Sequence, residues 1–292
     1  MQPLQFMQVN GETLAYRRGG KGDQTIVLIH GNMSSSAHFD LLIEALEPKY
    51  DVVAVDMRGF GGSSYQKPIN DLSDFAEDIF AMLNKLNITR YQLLGWSTGG
   101  GVAMIMAAKA PQAVTKLYLM ESVGIQGYPM FFKDDQGQPI LDKRLEARED
   151  IAKDPIQVAP VLEALANKDK DYYRGLWNLL IYNAGNQPEP AAYDRYLSDM
   201  LTQRNLVDVD YALNRFNISP NHNGLTEGNN LVADIKAPVV VFQGDQDLVV
   251  PQTMADSIVE ALDQRATFVS LPSGHNPMID CLDRLVDHIG ES

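Results

Sequence analysis

Cysteine is nearly missing: Cys281 stands alone among 292 residues, which excludes an intrachain disulfide framework and any zinc site built on several thiolates. A reducing compartment fits that usage. Basic residues are also few, 24 Lys and Arg against 38 Asp and Glu, for a formal charge of −14. A nucleic-acid surface or an anionic-membrane patch needs clustered cations, so no nucleic-acid partner is expected. No apolar run approaches the roughly 18 to 20 residues of a membrane helix, so no membrane insertion is expected either. The opening residues Met1 to Asn10 lack a basic segment followed by an apolar one, and the expectation is a soluble cytoplasmic protein without a secretory signal.

What remains is ordinary globular composition, 45% hydrophobic and 21% charged, enough for a large core and unlike disordered, collagen-like or coiled-coil chains. Asn10-Gly11 is a type I′ hairpin dipeptide joining Leu4–Val9 to Glu12–Arg17. After it, short apolar runs (Thr25–Ile29, Val52–Val55, Tyr91–Leu94, Lys116–Met120) alternate with helical stretches (Ala37–Leu46, Leu72–Leu86, Gly100–Ala110). That is the βαβ grammar of a parallel sheet with helices on both faces. It returns near the end, with Pro238–Phe242 and Ala266–Leu271 as strands and Gln252–Leu262 and Asn276–Ile289 as helices.

From Val123 to Val232 no strand-like run of comparable strength occurs. Amphipathic helical windows centre on Leu141, Val158, Tyr173, Tyr193 and Val207, and connector-like loops (Gly124–Pro139 and Ser219–Asn230) bound the segment. The expected organisation is one α/β core, residues 1–122 and 233–292, interrupted by a helical cap at 123–232.

The chemistry concentrates at strand ends. Gly95-Trp96-Ser97-Thr98-Gly99 follows an apolar strand and precedes a helix. A sharp turn there exposes the serine hydroxyl, and the flanking glycines remove side chains that would collide. The bland alternative is a Gly-rich helix start capped by serine. A hydroxyl needs a base, and of five histidines His275, in Ser273-Gly274-His275-Asn276-Pro277 after the last strand, can swing over the sheet edge toward Ser97. His38 and His288 fall in helices, His222 lies in the loop closing the insertion, and His30 ends a strand. The base needs an acceptor. Gly244 to Pro251 supplies Asp247, the choice here, and Asp245, which caps or braces the turn, while Glu121 at an earlier strand end is a third candidate. Acyl transfer also needs oxyanion donors, and the backbone N–H of Asn32, or less readily Met33, can converge with that of Thr98.

His30-Gly31-Asn32, Asp56-Met57-Arg58-Gly59-Phe60-Gly61-Gly62-Ser63, Gly95 to Gly99, Gly244 to Pro251 and Gly274-His275 together resemble the α/β-hydrolase fold superfamily. The resemblance implies Ser97 as nucleophile, His275 as base, Asp247 as acid, and Asn32 and Thr98 as the oxyanion hole, under a helical cap. Dehalogenases and epoxide hydrolases of that superfamily carry aspartate at the nucleophile position, so Ser97 speaks against both.

No cofactor or metal is expected. The third glycine of a dinucleotide fingerprint would fall at Ser64, and no Gly-Lys-Ser/Thr phosphate loop exists. Asp56 and Arg58 are expected to brace loops. The expected partner is a small molecule, held among Met33, Trp96, Tyr128, Phe131 and Trp177, with Met130, Phe132, Tyr172, Tyr173 and Tyr182 as further large side chains in the cap. The reading is hydrolysis of a small or medium, mostly apolar carboxylic ester or lactone. Carbon–carbon bond hydrolysis, acyl transfer, or a low-turnover ligand receptor stand as alternatives, and oligomeric state is not set by the sequence.

Overall fold

Asn10 and Gly11, both at positive φ (52° and 85°), turn the chain between β1 (Leu4–Val9) and β2 (Glu12–Gly19), with Val9 paired to Glu12. This is the two-residue hairpin that Asn-Gly favours. The computed structural model describes residues 1–183 and 185–290. Next come β3 (Gln24–Ile29), α1 (Asp40–Leu46), β4 (Tyr50–Asp56), α2 (Ser73–Lys85), β5 (Tyr91–Trp96), α3 (Thr98–Lys109) and β6 (Val114–Met120). Between β6 and the next strand of the main sheet lie β7 (Phe131–Lys133), β8 (Pro139–Arg144), α4 (Arg148–Ile151), α5 (Ala159–Asn167), α6 (Lys170–Leu180), α7 (Pro190–Met200) and α8 (Leu206–Arg215). The chain ends with β9 (Val239–Gly244), α9 (Gln252–Leu262), β10 (Ala266–Leu271), α10 (Pro277–Asp280) and α11 (Leu282–Gly290).

The main sheet runs β1-β2-β4-β3-β5-β6-β9-β10. β1 pairs antiparallel with β2 and β2 antiparallel with β4, and the remaining neighbours are parallel. Parallel strands buried on both faces read as unbroken apolar runs, and successive side chains serve opposite faces. Val27, Leu93, Leu117 and Val241 join a core with α2, α3 and α9, while Leu28, Leu94, Tyr118 and Phe242 join one with α1 and α11. The segment after β6 packs into both: Tyr173, Trp177 and Leu197 belong to the second core, Val209, Leu213 and Phe216 to the first.

One expectation is corrected here. Leu141 lies on β8, exposed, and not on a helix, and the loop expected to run to Pro139 contains β7. The two strands form a hairpin closed by Asp134 to Gln138: Asp134 Oδ1 accepts the N–H groups of Gln136 and Gln138, and Gly137 sits at φ 79°. Asp and Gly are turn residues, but a hairpin this exposed leaves almost no apolar alternation to read. The other four windows hold, with Val158 as the residue before α5 and Tyr173, Tyr193 and Val207 on α6, α7 and α8. No helix among the described residues is long and apolar enough to cross a membrane.

Candidate active site

Ser97 stands alone between β5 and α3 at φ 54°, ψ −118°, a conformation that costs a non-glycine residue about 1 to 3 kcal/mol. Its neighbours hold it there. The Ser97 N–H donates to Met120 O at 3.0 Å, and its carbonyl accepts from Gly100 and Val123. A Cβ on Gly99 would collide with the carbonyl oxygens of Ile29 and His30, and one on Gly95 with the backbone of Gly99 and Gly100. The two glycines let the strand and helix close around the turn.

His275 follows β10 in a loop fixed from both sides. Its N–H donates to Ile181 O at 2.9 Å, and the Gly274 N–H donates to Asp280 Oδ2 at 2.8 Å. His275 Nδ1 lies 2.8 Å from Asp247 Oδ2, with both side chains essentially buried. Asp247 Oδ1 accepts the N–H groups of Val249 (2.7 Å) and Val250 (3.0 Å). Burial alone pushes the Asp247 carboxyl up, but the His275 charge, its hydrogen bond and the two backbone donors outweigh that and hold the group below its ordinary value. Asp247 therefore remains an acceptor for His275 Nδ1.

The other two carboxylates go elsewhere. Asp245 is exposed. Glu121 is fully buried at φ 47°, with Oε2 accepting the Gly244 N–H at 2.8 Å and Asp247 as a hydrogen-bond neighbour. Burial first, then the charge of Asp247, raises the Glu121 carboxyl well above its usual range. Of these two neighbouring carboxyls, Glu121 is thus raised and Asp247 lowered.

The loop after β3 is fixed by His30. His30 donates from Nδ1 to Gly31 O at 2.7 Å and accepts the Met57 N–H at Nε2, so the ring ties this loop to the end of β4. Burial lowers the His30 pKa to about 4, which keeps it neutral in that role. Met33, at φ 54°, gives its N–H to Asn32 Oδ1 at 3.0 Å. That donor is spent within the loop. Asp56 accepts from the Ser36 and Gly62 N–H groups, and Arg58 pairs with Asp78 at 2.7 Å, as loop braces do.

Ser97, Thr98, Asn32 and His275 line one cavity of about 520 Å³. Met33, Trp96, Tyr128 and Trp177 line it as well. Phe131 does not; it lies on β7 under the Arg144 guanidinium, and its neighbour Met130 reaches the cavity instead. Tyr173 and Tyr182 pack inside the segment between β6 and β9, and Phe132 is exposed. Of the five histidines, His275 is the one on this wall. Sequence reasoning missed Val161, Leu176, Leu248 and above all Asp210. Asp210 left a trace in the sequence, because it falls four residues after Leu206 and three before Leu213 on the apolar stripe of α8. Among the described residues no cluster of His, Cys, Asp and Glu is placed to hold a metal.

A sequence profile described as alpha/beta hydrolase fold matches residues 24–281. The chain is 27% identical over 264 residues to the dihydrolipoyllysine-residue acetyltransferase component of the acetoin cleaving system of Pseudomonas putida, covering 88% of this chain and 61% of that protein. It is 36% identical over 118 residues to serine hydrolase BPHL of Homo sapiens, 38% of this chain and 40% of that one. The chain thus spans less than two thirds of these relatives. An esterase from Exiguobacterium antarcticum superposes with a TM-score of 0.73 at 19% identity, covering 100% of this chain and 98% of that one, a likeness of fold.

Proposed function

This chain is a member of the α/β-hydrolase family, and we propose that it is a serine hydrolase that cleaves a small or medium, mostly apolar carboxylic ester or lactone through an acyl-enzyme. One observation carries the reading. Ser97, on its strained turn, shares a largely apolar cavity with His275, whose far ring nitrogen is held by a buried Asp247 at 2.8 Å. A bare helix start capped by serine needs none of this.

In the proposed cycle Ser97 Oγ attacks the carbonyl carbon and His275 Nε2 takes its proton. The tetrahedral oxyanion is met by the N–H groups of Thr98 and Asn32. Collapse expels the alcohol, which receives the proton from His275, and a water activated by the same nitrogen releases the acid. Asp247 keeps the ring in the tautomer with Nδ1–H and steadies the imidazolium. Residues 123–232 act as a cap, since Tyr128, Val161, Leu176 and Trp177 furnish the apolar roof that sets specificity. The cavity is lined mainly by aliphatic and aromatic side chains with no Lys or Arg among them, which favours uncharged substrates.

The test is fluorophosphonate labelling of wild type and Ser97→Ala, run beside p-nitrophenyl esters of rising chain length. Wild type should label and turn over the shorter esters, and Ser97→Ala should do neither, with kcat lower by about 10⁴ to 10⁶. Retention of more than about a tenth of the activity in Ser97→Ala would remove the serine from the mechanism.

A further inference from the structure

The cavity beside Ser97 contains a carboxyl group that the proposed cycle does not use. Asp210 lies on α8 next to the buried Val209, and its Oδ1 accepts a hydrogen bond from Asn32 Nδ2 at 3.0 Å. Asn32 is committed at its other end as well, its Oδ1 taking the Nε2 of Gln203 at 2.8 Å and the Met33 N–H at 3.0 Å. The asparagine amide cannot turn to offer more. Asp210 is only partly exposed, and it lines the cavity with Met33, Tyr128, Trp177 and Leu213, so its remaining hydrogen-bonding capacity faces the space a substrate would fill.

The groups around Asp210 decide its charge. Asp154, itself paired with Lys133 Nζ at 3.1 Å, adds negative potential, Tyr128 and Tyr173 are phenols raised chiefly by their own burial, and His275 stands on the same cavity wall. Burial first, then Asp154, pushes the Asp210 carboxyl up to about 8 against the opposing pull of the Asn32 amide. Near neutral pH the group therefore keeps its proton and is a donor. Asn32 also supplies the backbone N–H of the proposed oxyanion hole, so Asp210 lies one asparagine side chain away from the reacting carbonyl.

We propose that Asp210 is a specificity residue: its carboxyl O–H donates a hydrogen bond to a second oxygen acceptor on the substrate, so the site prefers esters or lactones bearing a carbonyl, ether or hydroxyl oxygen near the scissile group. This rests on the serine-hydrolase reading above. A substrate without that oxygen leaves a buried donor unpaired, and sites built around a hydrogen bond discriminate against such analogues more steeply than apolar pockets discriminate by size.

The experiment compares kcat/KM for p-nitrophenyl levulinate and p-nitrophenyl valerate in wild type, Asp210→Asn and Asp210→Leu. The levulinate-to-valerate ratio should exceed one in wild type, stay within about threefold in Asp210→Asn, whose amide still donates, and fall by about tenfold or more in Asp210→Leu. In wild type alone the ratio should fall as pH rises from about 7 to about 9, because Asp210 loses its proton while Ser97 and His275 serve both esters alike. A ratio indifferent to Asp210→Leu and flat with pH overturns the proposal. So does an Asp210→Asn variant as impaired as Asp210→Leu, since an amide that still donates should keep the ratio. Fluorophosphonate labelling of Ser97 separates the two levels: no label in wild type sinks the hydrolase reading, whereas label with an unmoved ratio sinks Asp210 only. Should Asp210→Leu not fold, the wild-type pH series and Asp210→Asn still decide.

Discussion

Trp96 donates its indole N–H to the backbone carbonyl of His275 at 2.9 Å. The residue before the proposed nucleophile is thereby bonded to the residue proposed as base, across 179 positions of sequence. Its ring also lies against the imidazole, with centroids 5.9 Å apart. Trp96→Phe keeps most of the packing and deletes the donor, leaving a buried carbonyl unpaired at a cost of about 1 to 3 kcal/mol. The expected outcome is a lower denaturation midpoint and a kcat reduced by about 10- to 100-fold, since small displacements of a reacting group are expensive. Unfolding curves and ester kinetics on the variant check it; unchanged kcat would mean that the bond does not position His275.

Asp247→Asn should cut kcat by about 10⁴ with the fold intact, because an amide N–H turned toward Nδ1 favours the wrong tautomer. Asp247 is held below its ordinary value of 3.8, so its contribution to stability is present above that pH and is lost as pH falls through the folded value. Loss of activity through this carboxyl accordingly lies below pH 3.8, and a pH–rate profile carrying an Asp247-dependent limb at higher pH would contradict the assignment.

Glu121 behaves in the opposite way. Its folded pKa is raised from 4.5, so the unfolded chain releases this proton first and the native state loses stability as pH climbs from about that value toward the folded one. Glu121→Gln can still accept the Gly244 N–H and donate to Asp247. The variant should retain kcat within about threefold, as a hydrogen-bond-preserving isostere, and its stability should decline less as pH rises above 4.5 than that of wild type. Parallel stability–pH curves from chemical denaturation would rule out a raised Glu121 carboxyl.

Gly99→Ala forces a methyl into the carbonyls of Ile29 and His30, which are backbone and cannot step aside. Overpacking of this kind costs about 1 to 3 kcal/mol or more and should displace Ser97, abolishing labelling before it abolishes folding. Gly175→Ala is the control. It sits exposed on α6 with nothing within 4 Å of the added carbon and should gain up to about 1 kcal/mol in thermal unfolding.

Much of this site was legible in the chain because strand ends announce themselves. Ser97, Asp247 and His275 each follow an apolar run, and in a parallel sheet all such ends lie along one edge. Asn32 and Thr98, at the ends of β3 and β5, reach the cavity wall for the same reason. Phe131 misled because an aromatic in an insertion reads identically whether it faces a cavity or an arginine. The hairpin β7–β8 went unseen because its exposed strands carry no alternation, leaving only the turn residues Asp134 and Gly137 as a trace.

By itself, the sequence determined the alternation of strands and helices and the single sheet that joins its two halves, since these follow from local periodicity and from the proposed site needing Ser97, Asp247 and His275 together. Tertiary structure decided the rest. It alone spent the Met33 N–H on Asn32, raised the Glu121 carboxyl behind Asp247, and turned Asp210 into the cavity beside Asn32. Charge state and donor availability depend on what surrounds a group from every direction, and that information is spread over residues too far apart in the chain for any local pattern to carry it.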